Sequence, residues 1–444
     1  MGGTTSGARH AGTCLLVGAF LGALFTGDLR VAAVLLALSG LGWIVCCRAG
    51  RAEPPSGPWL WVVALALRLA AFGLAPEFSD DIQRYAWEGE VVLDGKSPYG
   101  FAPDAPELAP LRQRLPELAA RVGHPDVPAV YPPLAQLCAS VTAALVHLCG
   151  ARAGPANIAI LRVLYLLADL GVLLVLVRAA NSGRLPAHAA MAWGWCPLVC
   201  LEFAGSGHLD SLGILFLLLA LLAASTLPAR AALWSALGAA TKLLPLAVLP
   251  WIGRATGPGR RLGWLGLALL LLLLSYIPFA FLQGGARGFG LGLHEYGERW
   301  EGASLVYRFV EPFVRDHFGQ GAPPEASRHL ARVLIGLAWL ALAGLAVWRR
   351  PDAWSGAGAI LGAWLVLSPV LHPWYVLWIL PFVAREASLA WSWLVASAAL
   401  FYWPLAGWHA RKEWIEPAWI WWVVAPLFAG LWIAERVRAR EVRT

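Results

Sequence analysis

Long apolar runs broken by short polar ones set the pattern of this chain. The apolar positions neither alternate with a period of two nor keep to one helical stripe; they continue for the length of a membrane crossing. Leu262 to Leu282 is 21 residues without one charge, where about 20 suffice to cross ~30 Å of hydrocarbon. Such runs predict helices over 11–27, 31–47, 57–75, 131–150, 156–178, 187–203, 209–227, 231–251, 262–282, 328–348, 353–371, 373–384, 388–405 and 417–435. The segments 187–203 and 373–384, and the Pro245-broken 231–251, are short for a crossing and read as half-spans or re-entrant pieces. The expected fold is an all-α polytopic membrane bundle of about 11–14 transmembrane or re-entrant helices. The first run, from Ala11, follows Arg9 and His10 as a signal peptide would. It lacks a small-residue cleavage site and a second span follows closely, so it reads as an uncleaved first helix. No internal repeat is evident.

Charge orients the bundle. Basic residues collect between apolar runs: Arg48 with Arg51, Arg254 with Arg260 and Arg261, Arg349 with Arg350, and the tail Arg436, Arg438, Arg440 and Arg443. The positive-inside bias puts all of these in the cytoplasm. The long loops 76–130 and 283–304 then face outward. The first holds ten acids (Glu77, Asp80, Asp81, Glu88, Glu90, Asp94, Asp104, Glu107, Glu117, Asp126) against five bases (Arg84, Lys96, Arg112, Arg114, Arg121), and it is long enough to carry short helices of its own.

Composition excludes a soluble enzyme, since 14% of residues are charged and 59% hydrophobic against about 25% and 45–50% in soluble domains. The net charge of +7 sits in the loop clusters and gives no nucleic-acid signal. Seven cysteines all lie in apolar runs and read as small hydrophobes, with neither a disulfide framework nor zinc spacing. The 25 tryptophans suit interfacial belts and sugar stacking alike.

Five clusters could carry chemistry. Phe78-Ser79-Asp80-Asp81-Ile82-Gln83-Arg84-Tyr85 follows the third span. Adjacent carboxylates repel, so one must be paired or hold its proton more readily; Arg84 is the nearby cation, and a carboxylate here could deprotonate a hydroxyl. Tyr131-Pro132-Pro133-Leu134 starts a helix with two prolines that need no amide partner, and sets Tyr131 facing the acidic loop. Gly205-Ser206-Gly207-His208-Leu209-Asp210-Ser211 puts a His and an Asp between apolar segments; ionisable groups inside a membrane are costly and read as functional, or else as a pair that joins helices. Thr241-Lys242-Leu243-Leu244-Pro245 puts a lysine at a helix break, to be satisfied by an anionic ligand or by a salt bridge to Asp210 or Asp169. Ser368-Pro369-Val370-Leu371-His372-Pro373-Trp374-Tyr375 holds His372 between prolines at the outer end of its span. Glu298-Arg299-Trp300 in the second outer loop is a weaker signal of the same kind.

In this order the clusters resemble the GT-C superfamily of integral-membrane glycosyltransferases, and in particular the bacterial polyprenyl-phosphate-mannose-dependent mannosyltransferases of the GT87 and α-1,6-mannosyltransferase type. The specific part is Asp80-Asp81-Ile82-Gln83-Arg84-Tyr85, then Gly95-Lys96-Ser97-Pro98-Tyr99, then Tyr131-Pro132-Pro133-Leu134. It is similar also to the first luminal loop of the eukaryotic dolichol-linked mannosyl- and glucosyltransferases. The resemblance implies one transmembrane domain: two N-terminal helices in 1–56, a GT-C-like catalytic module in 57–385, and C-terminal helices with the basic tail in 386–444. It implies an inverting transfer of a sugar, with mannose expected, from a polyprenyl-phosphate-sugar donor to a hydroxyl of a glycolipid or glycan acceptor. The reaction would run on the extracytoplasmic face of a bacterial inner membrane, among membrane lipids and without nucleic acid.

A first-loop acid is the base in that superfamily. Asp81 keeps the spacing to the Gly-x-Ser-Pro-Tyr stretch; Asp80 stays a candidate because the related acid-x-acid pattern is here Ser79 followed by adjacent acids. Lys242, His372, His208 and Arg299 are the candidates for the donor phosphate, and Asp210, Arg84, Tyr131, Tyr85 and Trp374 for substrate contacts. The lipid-linked sugar is a co-substrate and no further cofactor is expected. His208 with Asp210 could hold a divalent metal, but nothing requires one and no metal site is assigned. If every predicted segment crosses, His208 and Asp210 fall opposite Asp81; a re-entrant 187–207 and a V-shaped break at Lys242–Pro245 would bring them together. The rival readings are a lipid-linked sugar flippase, which would call for internal repeat symmetry, and an O-antigen ligase, which would call for basic outer loops.

Overall fold

Proline decides where many of these helices begin, because its missing N–H is no loss in a first turn. The computed structural model describes residues 2–73, 78–319, 323–411 and 413–441; Pro76, Glu77 and Arg443 lie outside the described residues. The main helices are α1 (Gly2–Phe25), α2 (Leu29–Ala52), α3 (Gly57–Phe72), α4 (Asp81–Leu93), α5 (Pro133–Leu148), α6 (Pro155–Asn181), α7 (Asp210–Ala223), α8 (Pro228–Ala239), α9 (Pro258–Ser275), α10 (Leu291–Arg299), α11 (Tyr307–Phe318), α12 (Pro324–Arg349), α13 (Ala353–Leu367), α14 (Leu389–Ser397) and α15 (Ala418–Glu441). Proline stands in the first turn of α3, α5, α6, α8, α9 and α12. Among the described residues there is no strand, only two isolated bridges.

The molecule is an all-α polytopic membrane protein. Seven helices among the described residues are long and apolar enough to cross a membrane, or eight with the bent pair Pro197–Gly205 and Asp210–Ala223. Three shorter apolar helices, α3, α5 and α13, add to these. Leu269, Leu273, Leu337 and Leu340 on α9 and α12 are exposed, as suits side chains facing lipid tails.

The ends of the helices sort into two levels. At one level Gly50 meets Met191, the Arg254 guanidinium donates to the Arg350 carbonyl (3.0 Å), and Arg385 pairs with Asp352 (3.2 Å). The helix Leu380–Glu386 packs on the one that holds Met191, and Ser388 donates to Glu435 (2.7 Å), so the arginine clusters around 51, 254–261, 349–350 and 436–438 share one end. The other level carries the loop between α3 and α4, the start of α6, and the turns near residues 208, 240 and 370. Arg162 marks it, donating to the carbonyls of Phe72 (2.6 Å) and Ala204 (3.1 Å).

One predicted crossing does not lead from one level to the other. α5 leaves the Pro132 turn and runs along α4, and the chain beyond it returns to the first outer loop, where Arg152 pairs with Glu117 (2.7 Å) and His147 and Asn157 both reach Glu90 (2.8 and 2.6 Å). Its apolar count matches a span because Leu137, Val141 and Leu145 stay exposed while Ala135, Ala139 and Ala143 pack inward. The segment 187–207, expected to be re-entrant, instead runs from Gly50 to Ala71 and so passes between the levels. α5, not this segment, restores the parity that joins His208 to Asp81. The break expected at Lys242–Pro245 is present: α8 ends at Ala239 and the chain turns back through the 3₁₀ helix Leu244–Trp251.

Between the levels the core is held by tryptophan and by one buried ion pair. Trp43, Trp193, Trp195 and Trp378 are fully buried, and each indole N–H has an acceptor: the carbonyl of Ala192, Asp169, the carbonyl of Leu60 and Asp210. These rings serve neither as belts nor as sugar platforms. Arg68 on α3 makes a two-pronged bridge to Asp169 on α6 (2.6 and 2.8 Å) and donates to the carbonyls of Ala64 and Gly194. Removing one partner of such a pair strands the other, at a cost of about 3–5 kcal/mol. Arg68→Met is therefore expected to lower the melting temperature of the purified protein strongly, and Arg68→Met with Asp169→Leu to recover most of the loss. Equal destabilisation by the single and double variants would contradict this account.

Candidate active site

Three interruptions in the helices build the site. The first is the turn between Pro197–Gly205 and α7, which bends the chain by 120°. Its approach is a π-helical turn, Cys200–Gly205, of the kind often found at functional sites. Gly207 follows with φ +73°, a conformation that side chains other than glycine's rarely adopt. The second is the gap after α8, tied to the start of α5 by the Leu134 amide on the Ala240 carbonyl (2.7 Å). The third is the segment Ser368–Pro373 between α13 and the 3₁₀ helix Pro373–Ile379. It is clasped to the second outer loop by the Gly302 amide on Pro369 (3.1 Å) and the Leu371 amide on Gly302 (2.9 Å).

Asp81 opens α4, where a carboxylate complements the helix dipole. Its Oδ2 accepts from the hydroxyls of Tyr131 (2.9 Å) and Tyr85 (3.3 Å) and lies 3.6 Å from His208 Nδ1. Tyr131 is itself held, because Tyr99 donates to its carbonyl (3.0 Å). Tyr99 belongs to the Gly95–Tyr99 stretch, whose Ser97 amide and Gly95 carbonyl pair with Gln283 (2.9 and 3.1 Å). The three motifs of the outer loop thus converge on one carboxylate.

Lys242 meets Asp210 at 2.7 Å, with its ammonium 4.1 Å from the centre of the Tyr375 ring. Trp378 also donates to Asp210 (2.5 Å). The salt bridge considered from the sequence is present, and Lys242 also lines the cavity below. Trp374 is stacked between His372 (4.5 Å, 2°) and His208 (4.0 Å, 20°).

These groups border a cavity of ≈ 1820 Å³, well above the roughly 300–1,000 Å³ of a single small-molecule site. Asp80, Asp81, Tyr131, Lys242, His372 and Trp374 lie on its wall, with Arg84 and Arg299. One flank is apolar and aromatic, with Phe401, Leu405 and Trp408 beside the α1–α2 turn at Gly27–Arg30.

Other expected residues stand elsewhere. His208 and Asp210 are 1% and 0% exposed and lie behind the wall, so neither touches a ligand in the cavity directly. Tyr85 is buried and acts on Asp81. Arg84 does not pair with Asp80 or Asp81; it donates to the carbonyls of Gly123 (2.6 Å), His124 (2.6 Å) and Val127 (3.0 Å) and pairs with Glu88 (3.5 Å). It pins the outer loop over the cavity. Arg299 sits at the rim against Asp126 (2.5 Å).

Sequence reasoning missed Glu202, fully buried and bonded by the Tyr402 hydroxyl, and the Tyr296–Tyr375 hydroxyl pair (2.5 Å). Glu202 could have been found, since it is an acid inside an apolar run like Asp210. Tyr375 stands in the His372 cluster, but no local signal pointed to Tyr296 as its partner.

In the outer loop, Asp80 is pushed above the ordinary carboxylate range, first by desolvation within the cavity wall and then by the charge of Asp81. Asp126 is held below it by the hydrogen bond from Arg299, and desolvation lowers His124. Among the described residues no group of three or more His, Cys, Asp or Glu could hold a metal ion.

A known protein family matches the chain. It is described as Alpha-(1→6)-mannopyranosyltransferase, N-terminal domain, and the match covers residues 1–257, more than half of the chain. Asp81, Tyr131, His208, Asp210 and Lys242 fall within that stretch, and Arg299, His372 and Trp374 beyond it. No curated protein and no solved structure matches.

The raised Asp80 makes a prediction of definite sign. An acid whose folded-state pKa lies above its unfolded value loses stability as the pH rises through that interval. Asp80→Asn is thus expected to melt higher than the parent at pH 7, with the gap closing as the pH falls below the ordinary aspartate range. A gap that widens on acidification would contradict it.

Proposed function

The chain belongs to the Alpha-(1→6)-mannopyranosyltransferase family, and from that premise we propose that this membrane mannosyltransferase draws its sugar from a polyprenyl-phosphate donor. It passes the mannose, with inversion at the anomeric carbon, to a hydroxyl of a glycolipid or glycan acceptor. The observation that carries this reading is the Asp81 carboxylate, ordered by two tyrosine hydroxyls on the wall of a cavity large enough for two substrates.

A sugar phosphodiester brings its own leaving group, so the protein must supply a base and some positive charge. Asp81 takes the proton of the acceptor hydroxyl while that oxygen bonds to the anomeric carbon. The bond from that carbon to the phosphate oxygen breaks, and its electron pair leaves on the polyprenyl phosphate. Attack opposite the leaving group inverts the centre. Lys242 carries three N–H donors and gives one to Asp210; with His372 it faces the departing phosphate. Trp374, both faces of which are covered by His372 and His208, presents only an edge to the cavity and is not a stacking platform for the sugar. The flank of Phe401, Leu405 and Trp408 suits an isoprenoid chain.

The arginine-rich end belongs in the cytoplasm by the positive-inside bias, which turns the cavity to the extracytoplasmic side of a bacterial inner membrane. A donor carried across on a lipid, rather than a sugar nucleotide, fits that placement.

The test is transfer by purified protein in vesicles, supplied with polyprenyl-phosphate mannose and a mixed glycolipid acceptor pool. Asp81→Asn should lower the rate by about 10²–10⁴, Asp80→Asn should leave transfer measurable, and the product should have the opposite anomeric configuration to the donor. Transfer surviving Asp81→Asn, retention of configuration, or transfer from a sugar nucleotide alone would overturn the reading.

A further inference from the structure

Among the buried polar atoms behind the site that lack a hydrogen-bond partner, three come together: His208 Nδ1, His208 Nε2 and Glu202 Oε2. They face each other and Asp81. His208 Nε2 lies 3.3 Å from Glu202 Oε2, and His208 Nδ1 lies 3.6 Å from Asp81 Oδ2. The other Glu202 oxygen, Oε1, accepts from the Tyr402 hydroxyl. Both His208 and Glu202 are almost wholly buried, at 1% and 0% exposure, where an unpaired polar atom is costly.

With Asp81 ionised, as a base must be, one arrangement of a neutral imidazole satisfies every atom in this row. A neutral imidazole has one N–H and one acceptor nitrogen, and a protonated carboxyl has one O–H and one carbonyl oxygen. Tyr402 already donates to Oε1, so Oε2 is the oxygen that can carry a proton. Given to His208 Nε2, that proton leaves Nδ1 as the imidazole donor, aimed at Asp81. The competing assignment, an imidazolium between two carboxylates, keeps two anions in a water-poor interior. Lys242 makes its ion pair with Asp210 and none with Glu202 or Asp81.

Resting on the reading of Asp81 as the base, we propose that Tyr402, Glu202 and His208 form a directed hydrogen-bond chain that positions Asp81, with Glu202 protonated and donating to His208 Nε2, and His208 donating from Nδ1 to Asp81 Oδ2. His208 then joins Tyr131 and Tyr85 at Oδ2, and Oδ1 is the oxygen left to take the acceptor's proton. The contact of 3.6 Å is longer than a hydrogen bond and closes when substrate fills the cavity, as catalytic hydrogen bonds often do. Glu202 and His208 touch no substrate; they are positioning residues. Trp374, stacked on His208, couples the chain to the cavity wall.

The experiment compares variants in the transfer assay. His208→Leu should lower kcat about 10- to 100-fold with both KM values unchanged, the worth of one hydrogen bond to a charged group. His208→Asn, whose amide N–H replaces Nδ1–H, should recover most of that loss. Glu202→Gln imitates the protonated acid, and should likewise recover most of what Glu202→Leu loses. Infrared spectra of the parent protein should show a protonated carboxyl band that disappears in Glu202→Gln, a readout independent of activity. Glu202→Gln as damaging as Glu202→Leu, His208→Leu at the parent kcat, or no such band would overturn the chain. Asp81→Asn run alongside separates the two readings: if it is active, the base assignment falls and the chain with it. If it is inactive while His208→Leu is not, the chain alone falls.

Discussion

A charge carried into a water-poor helical bundle must find a partner or reach water, and the architecture here answers that requirement. Arg68 meets Asp169, Lys242 meets Asp210, and Glu202 meets Tyr402 and His208. Each of these groups is costly inside a membrane unless it is paired. The first pair bolts α3 to α6 midway through the bundle. The others lie where helices stop and turn, so the partners can meet only if the turns near residues 208, 240 and 370 come to the same level. Pairing the charges and assembling the site are one event.

That level is also where the outer loop closes down. Arg84 gathers the carbonyls of residues 123, 124 and 127, Gln283 ties the second outer loop to the Gly95–Tyr99 stretch, and Tyr99 fixes Tyr131. The outcome is a wall of two kinds around one cavity. Asp81, Lys242 and His372 give it a polar floor; Phe401, Leu405 and Trp408 give it an apolar flank. The proposed transfer from a lipid-borne sugar would use both. On that reading the floor would handle a proton and a phosphate, and the flank would hold a chain that otherwise stays in the bilayer.

Much of this was legible in the sequence, for a definite reason. A charge, histidine or proline in an apolar run is a local anomaly, and Asp210, Lys242, Pro245 and His372 could be picked out one at a time. Their partners are long-range facts. Arg84 looked like a counter-ion for Asp81, four positions or fewer away, yet its acceptors lie about forty residues on. α5 looked like a span because a helix with one face on α4 and the other exposed has the same apolar count as one that crosses. That single miscount puts His208 on the wrong side and calls for a re-entrant 187–207, a segment that in fact passes between the levels. Tryptophan misled in another way: Trp193 and Trp378 are hydrogen-bond donors to Asp169 and Asp210, a use that composition cannot show.

The central claim is that Asp81 is the group toward which the cavity delivers an acceptor hydroxyl. The most direct measurement is a cryo-EM structure of Asp81→Asn with a polyprenyl-phosphate mannose analogue and an acceptor glycan both bound. The account predicts the acceptor hydroxyl within about 3–3.5 Å of both the side chain at position 81 and the anomeric carbon, with the phosphate on the far side toward Lys242 and His372. An acceptor hydroxyl resting on Asp80, or a sugar held away from position 81 with its phosphate at Arg299, would contradict it.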